Sequence, residues 1–511
     1  MARANRRNSP RRRGARGIEQ LPWRLPRNPY RPVEILSADQ IEAIHDASLG
    51  VLEELGLEFM SPAALDVLAR GGAEVDRDSG VVRFDRGLIA ELLDQAPAEI
   101  TVTPRDPARK LLLGGDRMVF ASVGGPPNAH DCERGRRPGN FTDYCDILRL
   151  IQSLDVVHCI GNQPVAPTDL PAESRHLDCY LANLTLTDRV FLSTSIGAER
   201  VRDAVEMVAI SRGIGLEELA ESPGVMSNIN INSPRRVDGA MAAGMMALAR
   251  YGQVVVVTPF TLMGAMAPVT LAAALVQQNA EALAGIALVQ MVRPGNPVIY
   301  GGFTSNVDMR SGAPAFGTPE NTQATIASGQ LARRYGLPYR SSNASASNVV
   351  DAQAAYESQM SIWGAILGGS NIVYHAAGWM EGGLTASFEK FVLDAEMLQM
   401  LSEVLQPITV DEASLGLDAI REVQPGGHFF GAAHTLERYE TAFYQPILSD
   451  WRNFESWAED GARSATERAT GIWKGLLQGY QEPPMDPGVK EALEAYVRRR
   501  KEEIAGGRVS V

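Results

Sequence analysis

Cysteine is scarce in this chain, with four residues in 511 and no C-x-x-C pair. That excludes a disulfide framework and leads us to expect a reducing, cytoplasmic location. Long apolar runs are also missing. The best membrane candidate, Leu271 to Val292, is interrupted by Gln277, Gln278, Asn279 and Glu281, which suits a buried helix better than a bilayer span. No membrane association is expected. No G-x-G-x-x-G or Walker sequence follows a candidate strand, and no G-x-S-x-G elbow occurs, so neither a glycine-cradled phosphate nor a serine nucleophile is indicated. The seven histidines (45, 130, 158, 176, 375, 428 and 434) are scattered. His130, Asp131 and Cys132 are adjacent, but adjacent side chains rarely converge on one ion, and no metal site is expected.

Basic residues are in deficit, and the formal net charge is −13. Seven of the 48 Lys and Arg stand in residues 1–17 without a single acid, so the remaining chain is more acidic than the total suggests. Phosphate neutralisation needs a basic face, so nucleic-acid binding is not expected, and the Arg-rich start reads as a solvated tail.

What is present is a rhythm. Residues 1–35 form an Arg- and Pro-rich arm. Residues 36–115 read as a mixed cap that opens with a capping-box sequence at Ser37 to Gln40. Short apolar runs then recur at Met118–Ser122, Val156–Ile160, Val190–Ser195, Val225–Asn230, Val254–Pro259, Pro297–Gly302, Pro338–Ser342 and Asn371–His375. Helix-like segments separate them, for example Tyr144–Ser153, Glu199–Ser211, Arg235–Tyr251 and Thr322–Tyr335. The spacing fits one strand, one helix and two loops per unit. It predicts an α/β protein, a (β/α)8 TIM barrel over 116–390 with the N-terminal mixed cap and a C-terminal helical extension over 391–511. The final helix carries the basic run Arg498–Lys501, read as a solvated helix end.

In such a barrel, chemistry sits at the C-terminal ends of the strands. Those ends supply Asn230, Phe260, Phe303, Arg340, Asn343, His375 and Trp379, a set rich in amides and aromatics and poor in carboxylates. Without two facing carboxylates glycoside hydrolysis is excluded. Aromatic faces attract a quaternary ammonium, and a guanidinium holds a carboxylate through two parallel hydrogen bonds. The set therefore suits a small zwitterion, with Arg340 as the carboxylate anchor. The alternative for Arg340 is a salt bridge to Asp351 or Glu357, and for the aromatics ordinary packing. No residue stands out as a catalytic acid. His375 is the one candidate, read as a neutral hydrogen-bonding group, against the alternative of a buried structural histidine.

Four stretches carry a resemblance. They are Asn228-Ile-Asn-Ile-Asn-Ser-Pro234, Gly264-Ala-Met-Ala-Pro-Val-Thr-Leu271, Pro297-Val-Ile-Tyr-Gly301 with Asp308-Met-Arg-Ser-Gly-Ala-Pro314, and Tyr335-Gly-Leu-Pro338 with Asp351-Ala-Gln-Ala-Ala-Tyr-Glu-Ser358. They resemble the trimethylamine methyltransferase family of corrinoid-dependent methyltransferases. The resemblance implies a barrel whose open end admits the cobalt of a corrinoid (cobalamin-type) cofactor carried by a separate, cognate corrinoid protein. Founding members place pyrrolysine just before the Asp-Ala-Gln motif. This chain has Ser345, Ala346, Ser347 and Asn348 there, as in the non-pyrrolysine branch, which is similar to glycine betaine methyltransferases. The expected activity is methyl transfer from a small quaternary amine, glycine betaine favoured, to the Co(I) of the corrinoid. Carnitine, proline betaine, choline and dimethylsulfoniopropionate are the alternative substrates, and a non-catalytic betaine-binding barrel is the alternative class. Barrel methyltransferases commonly self-associate, so a homo-oligomer is expected by analogy.

Overall fold

Each of the eight apolar runs contains a strand in the computed structural model, which describes residues 18–507. The Arg-rich tail of residues 1–17 lies outside the described residues. The strands are β1 (Val119–Ser122), β2 (Cys159–Ile160), β3 (Val190–Phe191), β4 (Met226–Ile231), β5 (Val254–Met263), β6 (Val298–Gly301), β7 (Tyr339–Ser342) and β8 (Ile372–Ala377). A helix follows each in turn: α1 (Phe141–Ser153), α2 (Arg175–Leu186), α3 (Ala198–Arg212), α4 (Gly239–Arg250), α5 (Leu271–Val292), α6 (Pro319–Arg334), α7 (Ala352–Gly368) and α8 (Phe388–Val404). The runs were legible because a strand buried on both faces carries few polar residues.

Neighbouring strands pair in parallel in the order β3-β2-β1-β8-β7-β6-β5-β4. The two ends of that order also meet. Leu192 forms a parallel bridge with Met226, and the Ser193 N–H donates to the Met226 carbonyl at 2.8 Å. One face of the sheet packs on the helices. The other gathers residues from β1, β2, β3, β4, β5, β6 and β8 into a second apolar cluster, including Ala121, Cys159, Val190, Met226, Val256, Ile299 and Tyr374. The same cluster takes in Ile100, Val102, Leu111 and Leu113 of an antiparallel hairpin, with Trp23 and Leu25 against it. These groups lie where the strands begin: Met118 N–H donates to the Pro26 carbonyl, just ahead of β1. Trp23 is held between Arg189 and Arg109, whose guanidinium carbons are 4.3 and 4.6 Å from its ring centroid.

The cap begins as expected, with a capping box in which Ser37 accepts from the Gln40 N–H and Gln40 reaches back to Ser37. Helix α5 is the one helix among the described residues long and apolar enough to cross a membrane, and 78% of its apolar window is buried inside the protein. Its interrupting polar residues are bonded internally: Gln278 donates to Ser328, Asn279 to Tyr335, and Glu281 accepts from Ser233. All four cysteines are free.

Helix α8 runs across the expected 390/391 boundary, because its apolar stripe of Phe388, Phe391, Val392, Ala395, Leu398 and Leu401 is buried without a break. The basic run of the last helix (Pro487–Ala505) departs from the expectation in its second half, Arg498 and Arg499 being exposed. Arg500 is buried and binds Asp203, Glu199 and Glu503, while Lys501 pairs with Asp178. A helix that continues to Ala505 carries this run inside its length, where it ties the helix to α2 and α3.

Candidate active site

Alternation along the central strands decides which side chains face the enclosed apolar cluster. On β8, Ile372 and Tyr374 face it, and strict alternation would turn His375 the other way. A register shift between Val373 and Ala377 breaks the pattern, and His375 adopts φ 58°, a left-handed conformation that is rare for a non-glycine residue. His375 therefore packs between Tyr374, on which it stacks, and Trp379, to which it is tilted, with both ring centroids at 3.9 Å. Its Nδ1 accepts the Gly124 N–H at 3.2 Å, which leaves the ring proton on Nε2. Burial, with Arg340 nearby, holds its pKa well below the ordinary range, so it is a neutral imidazole.

Phe260 and Phe303 are register partners on neighbouring strands, with centroids 5.2 Å apart. Phe316 stacks on Phe303 at 5.3 Å, and Trp379 stands edge-on to Phe303 and Phe316 at 6.3 and 6.4 Å. Arg340 on β7 lies beside this cluster. Its guanidinium carbon is 5.2 Å from the Phe303 centroid and 5.0 Å from that of Tyr374. Arg340 is 2% exposed, and its Nε and Nη1 have no hydrogen-bond partner. Desolvation brings its pKa down to about 10, which still leaves it charged at neutral pH. The two carboxylates considered as partners are engaged elsewhere. Asp351 caps α7. Glu357 accepts from the Ser345 hydroxyl and from the Ala346 and Ser347 N–H groups.

Polar side chains at the ends of β2 to β5 are joined by hydrogen bonds into an arc. Thr194 donates to Asn162, Thr258 to Asn228, and Asn228 to Asn230, while the Asn162 N–H donates to the Tyr374 hydroxyl. The candidates from the sequence thus divide. Arg340, His375, Phe260, Phe303 and Trp379 come together. Asn230 is exposed on the polar arc, bonded to Asn228. Asn343 is turned away: it donates to the Ala376 carbonyl and lies by the Asp394 carboxyl. Ser345, Ala346 and Ser347 are stapled by Glu357 next to the turn after Trp379, where Glu381 and Gly382 donate to Ser347 and Ser345; Asn348 is exposed.

Two contributors were missed. Tyr374 ends the same strand as His375 and was not singled out from it. Phe316 sits in a loop two residues beyond the Asp308–Pro314 motif, and that adjacency was the only signal. Behind the cluster, Asp394 accepts the Gly378 N–H at 2.8 Å and pairs with Lys390, which donates to Ser358. This fully buried pair holds the backbone next to Trp379.

No group of three or more His, Cys, Asp or Glu poised for a metal occurs among the described residues. The His130, Asp131 and Cys132 side chains take separate surroundings: His130 meets Ser387, Asp131 pairs with Arg134 and Arg137, and Cys132 is exposed. A cavity of about 990 Å³ lies elsewhere, between α1 and the segments around Leu448 and Leu476.

The chain is similar to several characterised proteins over nearly all its length. It is 37% identical over 471 residues to a glycine betaine methyltransferase of Desulfitobacterium hafniense (strain Y51), covering 92% of this chain and 98% of that one. It is 29% identical to a trimethylamine methyltransferase from another strain of that species (DSM 10664 / DCB-2), over 92% of this chain and 95% of that one. A proline betaine:corrinoid methyltransferase of Eubacterium limosum is 28% identical, over 90% and 96%. The trimethylamine methyltransferase family model matches residues 2–505. With that match spanning the cap, all eight strands and the C-terminal helices, the chain belongs to the trimethylamine methyltransferase family and is a methyltransferase.

Proposed function

We propose that this enzyme moves a methyl group from a small carboxylated quaternary amine, glycine betaine in the first place, to a corrinoid carried by a partner protein in the cytoplasm. The observation that carries the substrate class is the unpartnered guanidinium of Arg340. An isolated buried charge costs several kcal/mol, a cost a fold retains when a ligand offsets it. A carboxylate bound there neutralises Arg340 and places the adjoining trimethylammonium against Phe260, Phe303, Phe316 and Trp379, whose faces attract it. The names of the relatives support an onium substrate of this kind.

The eight strands are read as a (β/α)8 barrel. All seven neighbouring pairs are parallel, the Leu192–Met226 bridge joins the ends of the strand order, and a single apolar cluster draws on strands from both ends of it.

The corrinoid is the methyl acceptor, a second substrate whose cobalt supplies the nucleophile. His375, the one imidazole at these strand ends, is packed between Tyr374 and Trp379 and committed at Nδ1, so it is not placed to ligate cobalt. The chain binds, orients and dries the amine. As the carbon–nitrogen bond breaks, its electron pair stays on nitrogen and a neutral tertiary amine leaves. No proton is needed, which suits a site whose imidazole is neutral. The rings exclude water and aim one methyl group outward, a contribution of position and desolvation.

The direct experiment mixes the purified protein with reduced cobalamin and a panel of amines and follows the Co(I) to methyl-Co(III) absorbance change. Transfer from glycine betaine with none from trimethylamine is the expected result. Binding of betaine without transfer, when the cognate corrinoid protein is also supplied, would overturn the catalytic reading.

A further inference from the structure

Just beyond Trp379 the backbone makes a strained turn. Glu381, Gly382 and Gly383 have φ of 54°, 59° and 99°, three left-handed residues in succession, and the first of them is not glycine. Such conformations persist where their surroundings over-determine them, and they gather at functional sites. The surroundings here are specific. The turn joins Trp379–Met380 to Thr385–Ser387 as an antiparallel hairpin, with Ala386 opposite Trp379. The Glu381 and Gly382 N–H groups donate to the Ser347 and Ser345 carbonyls at 2.9 and 3.0 Å. The Glu381 carboxylate pairs with Arg136 at 2.7 Å and accepts from the Thr385 hydroxyl. Arg136 stands on the outer strand, Gly135–Pro138, of the same four-stranded sheet.

What the turn presses on is the indole. A Cβ added at Gly383 would lie 2.5 Å from Cζ2 and Cη2 of Trp379 and 3.3 Å from Cε2. Non-bonded carbon atoms sit about 3.5–4.0 Å apart, so the bare glycine is already packed on the ring. At Gly382 the added atom would be 3.7 Å from Cε2 of Phe316, an ordinary contact. The indole's other neighbours are His375, at 3.9 Å, and Phe303 and Phe316, which meet it nearly at right angles. Trp379 is 7% exposed, so little free space surrounds it. A side chain at position 383 would push the ring away from the turn and onto the aromatic groups of the site.

We propose that Gly383 is a specificity-determining residue: the side chain it lacks is room that the Trp379 indole occupies, and this sets the size of the onium group that the aromatic cluster accepts. The inference rests on the reading that a quaternary ammonium lies against Phe303, Phe316 and Trp379. Gly383 is a positioning residue that acts through the indole, while Glu381 and Arg136 hold the turn in place. The competing account is that position 383 needs glycine for its φ alone. Gly382 separates the two, because it has a positive φ in the same turn without the close approach.

Calorimetric titration with glycine betaine and N,N-dimethylglycine tests this. Both carry a carboxylate and a positive charge at neutral pH, and they differ by one methyl group. Dimethylglycine is also what betaine becomes on losing a methyl, so the same opening weighs substrate against product. Overpacking is absorbed by shifts of neighbouring side chains, so Gly383→Ala should raise Kd for betaine on the order of 10-fold and for dimethylglycine by no more than about twofold. Gly382→Ala should move both ligands alike. Trp379→Phe removes the atoms that a Cβ at 383 would meet, so in that background Gly383→Ala should change betaine's Kd by no more than about twofold. Equal losses for the two ligands, the same selective loss with Gly382→Ala, or an undiminished loss in the Trp379→Phe background would each overturn the inference. Should Gly383→Ala fail to fold, the double variant decides: one that folds and binds betaine as Trp379→Phe does supports the contact, and one that also fails to fold overturns it. A wild type that binds no betaine would remove the proposed substrate, and this inference with it. A wild type that binds betaine, with Gly383→Ala unaffected, would remove this inference alone.

Discussion

Arg340 lies over two aromatic rings, its guanidinium carbon 5.2 Å from the Phe303 centroid and 5.0 Å from that of Tyr374. The two rings supply some attraction, but they cannot neutralise the guanidinium. A planar fork with its charge unspent is prepared for a planar anion.

Function and stability should therefore part at this residue. Arg340→Met removes a charged hydrogen-bonded contact worth about 1.5–3 kcal/mol, so KM for betaine should rise on the order of 10- to 100-fold. Arg340→Lys keeps the charge without the fork and should fall between. In the absence of amine, Arg340→Met should melt higher than wild type, since it replaces an uncompensated buried charge with an apolar chain of similar length. A lower melting temperature with unchanged KM would make Arg340 a structural residue.

The aromatic cluster should be sensitive to charge rather than size. Phe303→Leu and Trp379→Leu each remove a ring face worth about 0.5–2 kcal/mol to a cation, a rise in Kd of roughly 2- to 30-fold for glycine betaine. Its carbon isostere 3,3-dimethylbutanoate has the same shape and carboxylate but no positive charge. Calorimetric titration should show its weaker affinity changing far less. Equal losses for the two ligands would mean that the rings act by packing alone.

Acid should destabilise the fold earlier than its carboxylates alone would dictate. His158 accepts the Phe120 N–H at Nδ1 and donates from Nε2 to the Arg24 carbonyl, and burial brings its pKa down to about 3. His375 is lowered in the same direction. In the unfolded chain both return to about 6.5. As pH falls through 6.5 the unfolded state takes up protons the folded state refuses, so stability declines from there toward pH 3, by up to about 1.4 kcal/mol per pH unit for each histidine. His158→Gln keeps an acceptor and a donor. Melting curves from pH 7 to pH 5 should show a smaller decline for this variant, and parallel declines would remove His158 from the account.

The Lys390–Asp394 pair gives a fourth test. Lys390→Met leaves Asp394 buried and uncompensated, which should cost about 3–5 kcal/mol of stability. Lys390→Met with Asp394→Asn removes the stranded charge and keeps an acceptor for the Gly378 N–H, so denaturant unfolding should show much of that loss restored. A double variant no more stable than the single would show that the ion pair itself is required.

The strands and helices were readable because burial on both faces and periodic apolar faces leave marks in composition. The candidate cluster was readable wherever a strand end carried the residue, as with Arg340 and Phe303. His375 joins that cluster for a reason its position alone did not give, because only the shift between Val373 and Ala377 turns it beside Tyr374. Asn343 shared the strand end but not the site, since its amide is taken by the Ala376 carbonyl. Arg500 looked like solvent-facing charge because its partner Asp203 lies 297 residues earlier, a separation that no local pattern records.

The hairpin at Ile100–Leu113, with Trp23 clasped by two arginines, floors the enclosed space where the strands begin. In the (β/α)8 barrel and methyl transfer that we propose, a floor leaves one door. Amine, demethylated product and methyl acceptor would then share a single entrance, and a carrier seated on it would block the others. Amine should enter first and the demethylated product leave last, which is compulsory-order kinetics. Excess unmethylated carrier should also act as a substrate inhibitor, relieved by raising the amine concentration, because it stoppers an empty site.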